Sequence, residues 1–118
     1  MRDTKYTVAI HILVMLATSP RDLNSDDLAR SVGTNASYIR KVMALLKDHG
    51  IIASQRGKSG TRLLKRPEDL SLLEIYQAVN GDEAERQLKE ALAKNSLADV
   101  IDRLKQAAED TDAGSTTD

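Results

Sequence analysis

Apolar and polar residues follow one another along this 118-residue chain in patterns that predict short helices and then a hairpin. The clearest helix follows Asn35, a favourable N-cap residue, and ends near Gly50, where a left-handed cap is expected. Its apolar residues recur at one-turn spacing and predict a buried stripe of Ile39, Val42, Met43 and Leu46. The intervening residues predict an exposed, mostly basic face of Ser37, Arg40, Lys41 and Lys47.

Two short strands are predicted directly after this helix, over residues 51–55 and 61–65. The turn between them contains glycine and the basic residues Arg56 and Lys58. A basic helix followed by a basic hairpin is typical of a winged helix-turn-helix. In that arrangement the helix fits the major groove of DNA, and the hairpin reaches the flanking backbone or the minor groove.

The segments before the basic helix complete this arrangement. Residues 4–18 predict a helix that is apolar almost all round and therefore packs on two sides. Ser25 is expected to cap a short helix over residues 26–32, and Gly33 to form the tight turn into the basic helix. His11 is interpreted as a half-buried, hydrogen-bonded side chain in preference to a metal ligand.

The C-terminal part also carries helical patterns. Ser71 and Glu74 predict a capping box before a helix that Asn80-Gly81 ends. Whether residues 82–109 form one helix or two is left open by a weak break at Asn95-Ser96. We expect a mainly α chain, with a winged helix-turn-helix domain over residues 1–80, a C-terminal helical dimerisation region over 81–109 and a disordered tail over 110–118.

Charge is distributed unevenly between the two halves of the chain. Residues 1–66 contain 12 Lys and Arg against 5 Asp and Glu, a net charge of +7. Residues 67–118 contain 5 against 13, a net charge of −8, which agrees with the total of −1. A basic N-terminal half suits a polyanion such as double-stranded DNA, whereas the acidic half does not.

Several other classes of function are excluded or disfavoured by the sequence. It contains no cysteine, which excludes disulfides and thiolate-bound metal within it, and a cytoplasmic location is expected. Gly57-Lys58-Ser59 is similar to the end of a phosphate-binding loop, but Ile52 replaces the required earlier glycine. We find no nucleophile–base pair of the kind that would indicate an enzyme. The apolar run at residues 8–17 is too short to span a membrane.

A set of residues spread over the chain carries a resemblance to a known family. They are Lys5-Tyr6, Leu28-Ala29, Gly33, Tyr38-Ile39, Leu45-Leu46-Lys47, Gly50-Ile51-Ile52, Arg56-Gly57, Gly60, Leu63-Leu64, Pro67, Ser71-Leu72, Ile75 and Ala78-Val79. In these positions the chain resembles the IscR/NsrR-type winged-helix transcription regulators of bacteria, the Rrf2 family. The resemblance implies a homodimer held by its C-terminal helices, with each recognition helix and wing on a palindromic operator.

The chain also departs from this family at informative positions. Many members ligate an iron–sulfur cluster through cysteines between the wing domain and the dimer helix, but this chain has none there, so no cofactor is expected. Arg40 stands where an acidic residue is often found, so the operators of relatives do not transfer.

We expect the chain to be a dimeric, sequence-specific DNA-binding transcription regulator, and we favour a repressor over an activator. The alternative is a winged helix that binds protein, which the clustering of cations on the helix and the wing disfavours. Candidate DNA-binding residues are Arg2, Lys5, Tyr6, Asn35, Ser37, Tyr38, Arg40, Lys41, Lys47, Arg56, Lys58, Ser59, Thr61 and Arg62. Candidate dimerisation residues are Leu88, Leu92, Leu97, Val100, Ile101 and Leu104. The expected partners are DNA, a second copy of the chain and a small-molecule or protein effector, with no membrane.

Overall fold

Helices dominate the molecule, and an antiparallel strand pair follows the third of them. The structure is a computed structural model and describes residues 4–20, 22–54, 60–81 and 86–116. Its elements are, in chain order, α1 Thr4–Thr18, α2 Ser25–Val32, α3 Ala36–Asp48, β1 Ile52–Ser54, β2 Thr61–Leu63, a 3-10 turn Pro67–Asp69, α4 Leu72–Asn80, α5 Arg86–Ala93 and α6 Leu97–Thr116. This confirms the predicted mainly α class with a two-stranded wing.

The first helix lies at the centre of the packing. α1 contacts α2, α3, α4, α6 and β2. The side chains of Ala9, Ile12 and Leu13 are fully buried, and others on α1, such as Val14, pack half-buried against the core. Because neighbours lie on several sides, a helix with a single apolar stripe would leave buried polar groups facing them. The prediction that this helix packs on more than one side is confirmed.

The helix α2 begins one residue earlier than expected, because Asn24 and not Ser25 is its N-cap. The Asn24 side-chain Oδ1 accepts a hydrogen bond from the Asp27 backbone N at 2.9 Å, and the Asn24 N donates to Asp27 Oδ2 at 3.1 Å. This reciprocal pair is a capping box. It fixes the start of α2, so that Ser25 becomes the first residue of the helix.

The turn and the next helix follow the sequence pattern closely. Gly33 has φ +85°, a left-handed conformation that glycine adopts without strain, and its N donates to Ala29 O at 2.9 Å. Asn35 Oδ1 accepts from Tyr38 N at 2.8 Å and caps α3. The predicted buried stripe is confirmed at every position, namely Ile39, Val42, Met43 and Leu46.

The wing is a short antiparallel hairpin whose strands are shorter than the sequence indicated. Ile52 pairs with Leu63, Ala53 with Arg62 and Ser54 with Thr61. The Leu64 N also donates to Ile51 O at 2.9 Å, which extends the ladder at its base by one bond. Since Ile51 and Ile52 are buried, the base of the wing is part of the core.

Gly60 attaches the wing to the loop between α1 and α2. It is buried, and a Cβ atom at this position would lie 2.5 Å from Asp22 Cβ and 2.9 Å from Asp22 Cγ. Contacts this short do not occur between real side chains, so only glycine fits without movement of the loop. The close approach therefore defines where β2 starts relative to the helix-turn-helix.

Backbone hydrogen bonds tie the C-terminal helices to the start of α4. Ser71 caps α4 by accepting from the Glu74 N at 3.1 Å, and it forms an isolated antiparallel bridge with Ser96. Only this half of the predicted capping box forms, because the Glu74 carboxylate accepts from Lys65 Nζ at 3.0 Å. On either side of this bridge, the Leu72 N donates to Asn95 O at 2.9 Å and the Leu97 N donates to Leu70 O at 2.8 Å. Residues 94–96 therefore separate α5 from α6, and the pattern that could have been one helix is two.

The last helix continues beyond the boundary expected from composition. α6 runs through Asp110, where the disordered tail was predicted to begin, and ends at Thr116. Acidic and small residues follow Asp110, but no proline interrupts them, so the helical backbone can continue. Of the helices in the described ranges, none is both long and apolar enough to cross a membrane.

Candidate nucleic-acid interface

The outward face of α3 carries the predicted basic residues. Ser37, Arg40, Lys41 and Lys47 are all exposed, and the exposed Ala44 lies between them. The opposite face is held in the core, so the helix cannot rotate to present other residues. Ser37 and Lys47 are separated by about 15 Å along the helix axis at 1.5 Å per residue. An α-helix with its side chains is about 10–12 Å in diameter and therefore fits the DNA major groove, which is about 12 Å wide.

A surface groove of about 290 Å³ separates this face from the wing. Its lining residues come from the start of α2, from α3 and from the end of the strand pair next to the turn, and they are Asn24, Ser25, Arg40, Met43, Ala44, Lys47, Ser54, Gly60 and Thr61. They include two cations and three hydroxyl groups, and no carboxylate occurs among these described lining residues. Such a surface attracts anions.

Arg40 has a defined contact inside this groove. Its Nη1 donates a hydrogen bond to Ser25 Oγ at 3.5 Å, which directs the guanidinium towards the beginning of α2. Ser25 was missed as a site residue because the sequence placed it in a capping role. The signal that could have identified it is a hydroxyl at the first position of the helix that packs against α3.

The cations of the hairpin differ in how they are paired. Arg62 is exposed on β2. In contrast, Lys65 Nζ lies 3.0 Å from Glu74 Oε2, and Arg66 Nε lies 3.0 Å from Asp69 Oδ2. The hydrogen bond and the charge of Asp69 raise the pKa of the Arg66 guanidinium above its ordinary value. The charges of Lys65 and Arg66 are thus partly balanced within the chain.

Other predicted site residues have structural contacts in the described part of the chain. Asn35 uses its side-chain oxygen to cap α3. The Tyr6 ring packs on Tyr76 with the ring centroids 5.3 Å apart, which joins α1 to α4. Tyr38 is half-buried against the core, and Thr61 is only 8% exposed. Lys5 is half-buried at the start of α1.

The remaining predicted DNA contacts lie outside the described residues. These are Arg2 at the N-terminus and Arg56, Lys58 and Ser59 in the turn of the wing. They stay predictions.

Comparison with known proteins assigns this arrangement to a family. Residues 2–111 match the Rrf2 family, which is described as "Iron-dependent Transcriptional regulator". The chain belongs to the Rrf2 family. Its relatives are transcription regulators of the helix-turn-helix type and not enzymes.

Curated relatives in bacteria support the assignment. YwnA of Bacillus subtilis (strain 168), named as an HTH-type transcriptional regulator, is 40% identical over 83 residues, which cover 70% of this chain and 62% of YwnA. An rrf2-like HTH-type regulator of Rhodobacter capsulatus is 34% identical over 87 residues, which cover 69% of this chain and 58% of that protein. This chain therefore spans less than two thirds of the length of these relatives.

Solved structures agree on the Rrf2 fold. The structure named T. potens IscR superposes with a TM-score of 0.78 at 20% identity, covering 91% of this chain and 90% of that one. CymR, named as the global cysteine regulator of B. subtilis, gives a TM-score of 0.74 at 20% identity, covering 86% and 96%. A third structure, named as a DNA-binding protein, gives 0.74 at 33% identity, covering 82% and 98%.

The residues of this Rrf2 member do not fit the iron centre that the family description implies. The sequence has no cysteine and only two histidines. His11 Nε2 lies 3.1 Å from Ser31 Oγ, and His49 Nδ1 lies 3.3 Å from Leu45 O, so each has a hydrogen-bond partner. His11 is exposed and not half-buried as predicted. Within the described ranges no group of three or more His, Cys, Asp or Glu side chains could hold a metal ion.

The residues predicted for dimerisation divide into two groups. Leu97 is fully buried and Ile101 is 8% exposed, and both belong to the core of this chain, where α6 contacts α1. Their assignment to a surface between two copies is therefore corrected, because one helical turn separates them and both face inward. Leu88 and Leu104 are 40% and 53% exposed, while Leu92 and Val100 are half-buried.

Proposed function

We propose that this chain is a sequence-specific repressor that binds a palindromic operator as a homodimer. The observation that carries the proposal is a cationic surface formed by several elements. It consists of the outward face of α3, the carboxylate-free groove beside it and the exposed Arg62 of the wing. α3 enters the major groove, and the wing lies along the flanking backbone or minor groove.

The cations of this surface have different tasks. Ser37 and Arg40 lie in the first turns of α3, where side chains of a recognition helix reach base edges. Arginine can contact guanine through two parallel hydrogen bonds, which gives sequence information. Lys41, Lys47 and Arg62 provide charge to phosphate groups, which gives affinity without sequence preference.

The exposed apolar side chains of the C-terminal helices and the two half-sites of a palindromic operator both support a dimer. Leu88 and Leu104 are large apolar side chains exposed on the C-terminal helices, and a second copy would remove them from water. Two linked DNA-binding domains also bind two half-sites far more tightly than one domain binds a single half-site. Repression is favoured over activation because occupying a promoter requires no further contact.

An effector other than thiolate-bound iron controls this repressor. A surface groove of about 440 Å³ lies where the winged domain meets the last helix, between the end of α1, the 3-10 turn and α6. Its lining includes Thr18, Glu68, Asp102 and Lys105, which could bind a small polar molecule. A protein partner acting on α5 and α6 is the other route to control.

The test compares two variants on two duplexes across a salt series, after selection of an operator from random DNA. Arg40→Ala should cost about 1–3 kcal/mol on the operator and much less on a scrambled duplex, because base contacts are lost. Lys47→Ala should weaken binding to both duplexes alike and reduce the slope of log affinity against log salt by about one per subunit, and so by about two for the dimer. The control Arg103→Ala, on the exposed side of α6, should leave the affinity for both duplexes unchanged.

Two outcomes would contradict the proposal. Equal losses on both duplexes for Arg40→Ala would show that Arg40 is not a base reader. If the unmutated protein bound no duplex even at low salt, the winged helix would be a protein-binding module, the alternative considered from the sequence.

A further inference from the structure

Ser25 occupies a fixed position at the edge of the groove. It is the first residue of α2, and the capping box formed by Asn24 directly before it and Asp27 two residues after it defines where that helix starts. Asp27 is further held, because its Oδ1 accepts from Arg30 Nη2 at 3.1 Å. Ser25 is half-buried and lines the groove. The fixed start of α2 therefore places Ser25 Oγ within reach of side chains on α3.

Arg40 is a long, exposed side chain that reaches this acceptor from the neighbouring helix. Its Nη1 lies 3.5 Å from Ser25 Oγ, longer than the range of about 2.7–3.2 Å that is usual for N–H···O hydrogen bonds. So long a contact stabilises the fold little, and its effect is to favour one orientation among the many rotamers of an arginine. It also uses a single nitrogen of the guanidinium, and the other N–H groups remain available to a ligand.

The chemical nature of the acceptor matters for DNA binding. A carboxylate in this position would orient Arg40 and neutralise its charge at the same time. A hydroxyl orients the guanidinium while leaving its charge intact. The first turn of α2 contains two acidic residues, Asp26 and Asp27. Asp27 is bound by Arg30 and by the Asn24 backbone, and neither carboxylate is among the described residues that line the groove.

We propose that Ser25 is a positioning residue that orients the guanidinium of Arg40 for contact with a base. The inference rests on the proposed function, since it names the residue that supports the proposed base reader. Arginine reads guanine only when its planar fork meets the base edge at the correct angle. A guanidinium already oriented in free protein loses less rotamer entropy on binding, and that gain applies only to duplexes with the matching base.

The experiment is a mutant cycle of Ser25→Ala, Arg40→Ala and the double variant, measured on the selected operator and a scrambled duplex. Ser25→Ala should lower operator affinity by about 3- to 10-fold, the usual range for one hydrogen bond, and leave scrambled DNA unchanged. The double variant should bind the operator as Arg40→Ala alone does, because Ser25 acts only through Arg40. Ser25→Thr retains the hydroxyl and should restore operator affinity.

Two further measurements separate positioning from a structural role. Ser31→Ala removes a hydroxyl from the other end of α2, where it contacts His11, and should leave both duplexes unaffected. In free protein, nitrogen relaxation of the Arg40 Nε should show a more mobile side chain in Ser25→Ala than in Ser25→Thr.

The outcomes distinguish failure of this inference from failure of the proposed function. A wild-type protein without preference for any duplex would overturn both. A wild-type protein that prefers its operator, together with an unchanged preference in Ser25→Ala, would overturn the inference alone. Equal losses on the two duplexes would also overturn it, since Ser25 would then bind a phosphate itself. Unchanged mobility of Arg40 in Ser25→Ala would overturn it as well.

Discussion

At the scale of single residues, Gly60 is required for the space it leaves and not for its backbone angles. Its φ lies outside the left-handed region, unlike that of Gly33, Gly50 and Gly81. What constrains it is Asp22, whose Cβ occupies the space into which any side chain at position 60 would point. The wing and the helix-turn-helix therefore meet through a contact that a methyl group would break.

Gly60→Ala should lower the free energy of unfolding by about 1–3 kcal/mol, the usual cost of overpacking a buried position. Denaturant titration would measure it as a lower midpoint with an unchanged slope. Asp22→Gly removes the Cβ that causes the clash, so adding Gly60→Ala in that background should cost clearly less. An equal cost in both backgrounds would show that Asp22 is not the obstacle.

At the scale of elements, local patterns predicted α3 well because its determinants are local. The stripe of buried residues, the Asn35 cap and the glycine after the helix are all encoded within a few positions of one another. The cap of α2 was predicted wrongly at Ser25, which is as favourable a cap residue as Asn24. Asp27 decides between them, because it lies at the spacing that completes a capping box with Asn24.

Other elements depend on partners that are distant in the sequence. The break between α5 and α6 is formed by hydrogen bonds from residues 95–97 to residues 70–72, and no local pattern indicates that pairing. The apolar stripe of α6 was attributed to a second copy in preference to α1, because such a stripe shows that something covers it but does not identify the cover. For Leu97 and Ile101 it is α1 and the rest of this chain's core.

Leu97→Ala tests this corrected role of the first turn of α6. It should lower the free energy of unfolding by about 2–5 kcal/mol, because it removes buried methyl groups and leaves a cavity. Arg103→Ala is the control on the same helix, since that side chain is exposed and its truncation should cost far less at the same protein concentration. Similar losses for both variants in thermal or denaturant unfolding would place Leu97 at an interface instead of the core.

At the scale of the whole molecule, the uneven distribution of charge favours one orientation of the chain relative to DNA. The basic residues 1–66 are attracted to the phosphate backbone, and the acidic residues 67–118 are repelled by it. The described side chains of α6 after Ile101 are all exposed and include Asp102 and Glu109. This favours contact through α3 and the wing, and it leaves α5 and α6 for contact with a second copy.

The proposed dimer can be tested on the exposed side of α6. Leu104→Asp replaces a large apolar side chain that is 53% exposed with a charged one. Burying that charge in an interface would cost more free energy than the leucine contact contributes to dimer formation. The variant should therefore be a folded monomer by light scattering, with operator affinity reduced by about 100-fold or more because the two half-sites are no longer linked. Gln106→Asp makes the same change of charge about 200° around the helix and should remain dimeric. An unmutated protein that is a well-folded monomer while it binds its operator tightly would rule the dimer out, and Leu104 would then be an isolated surface leucine of the kind that needs no partner.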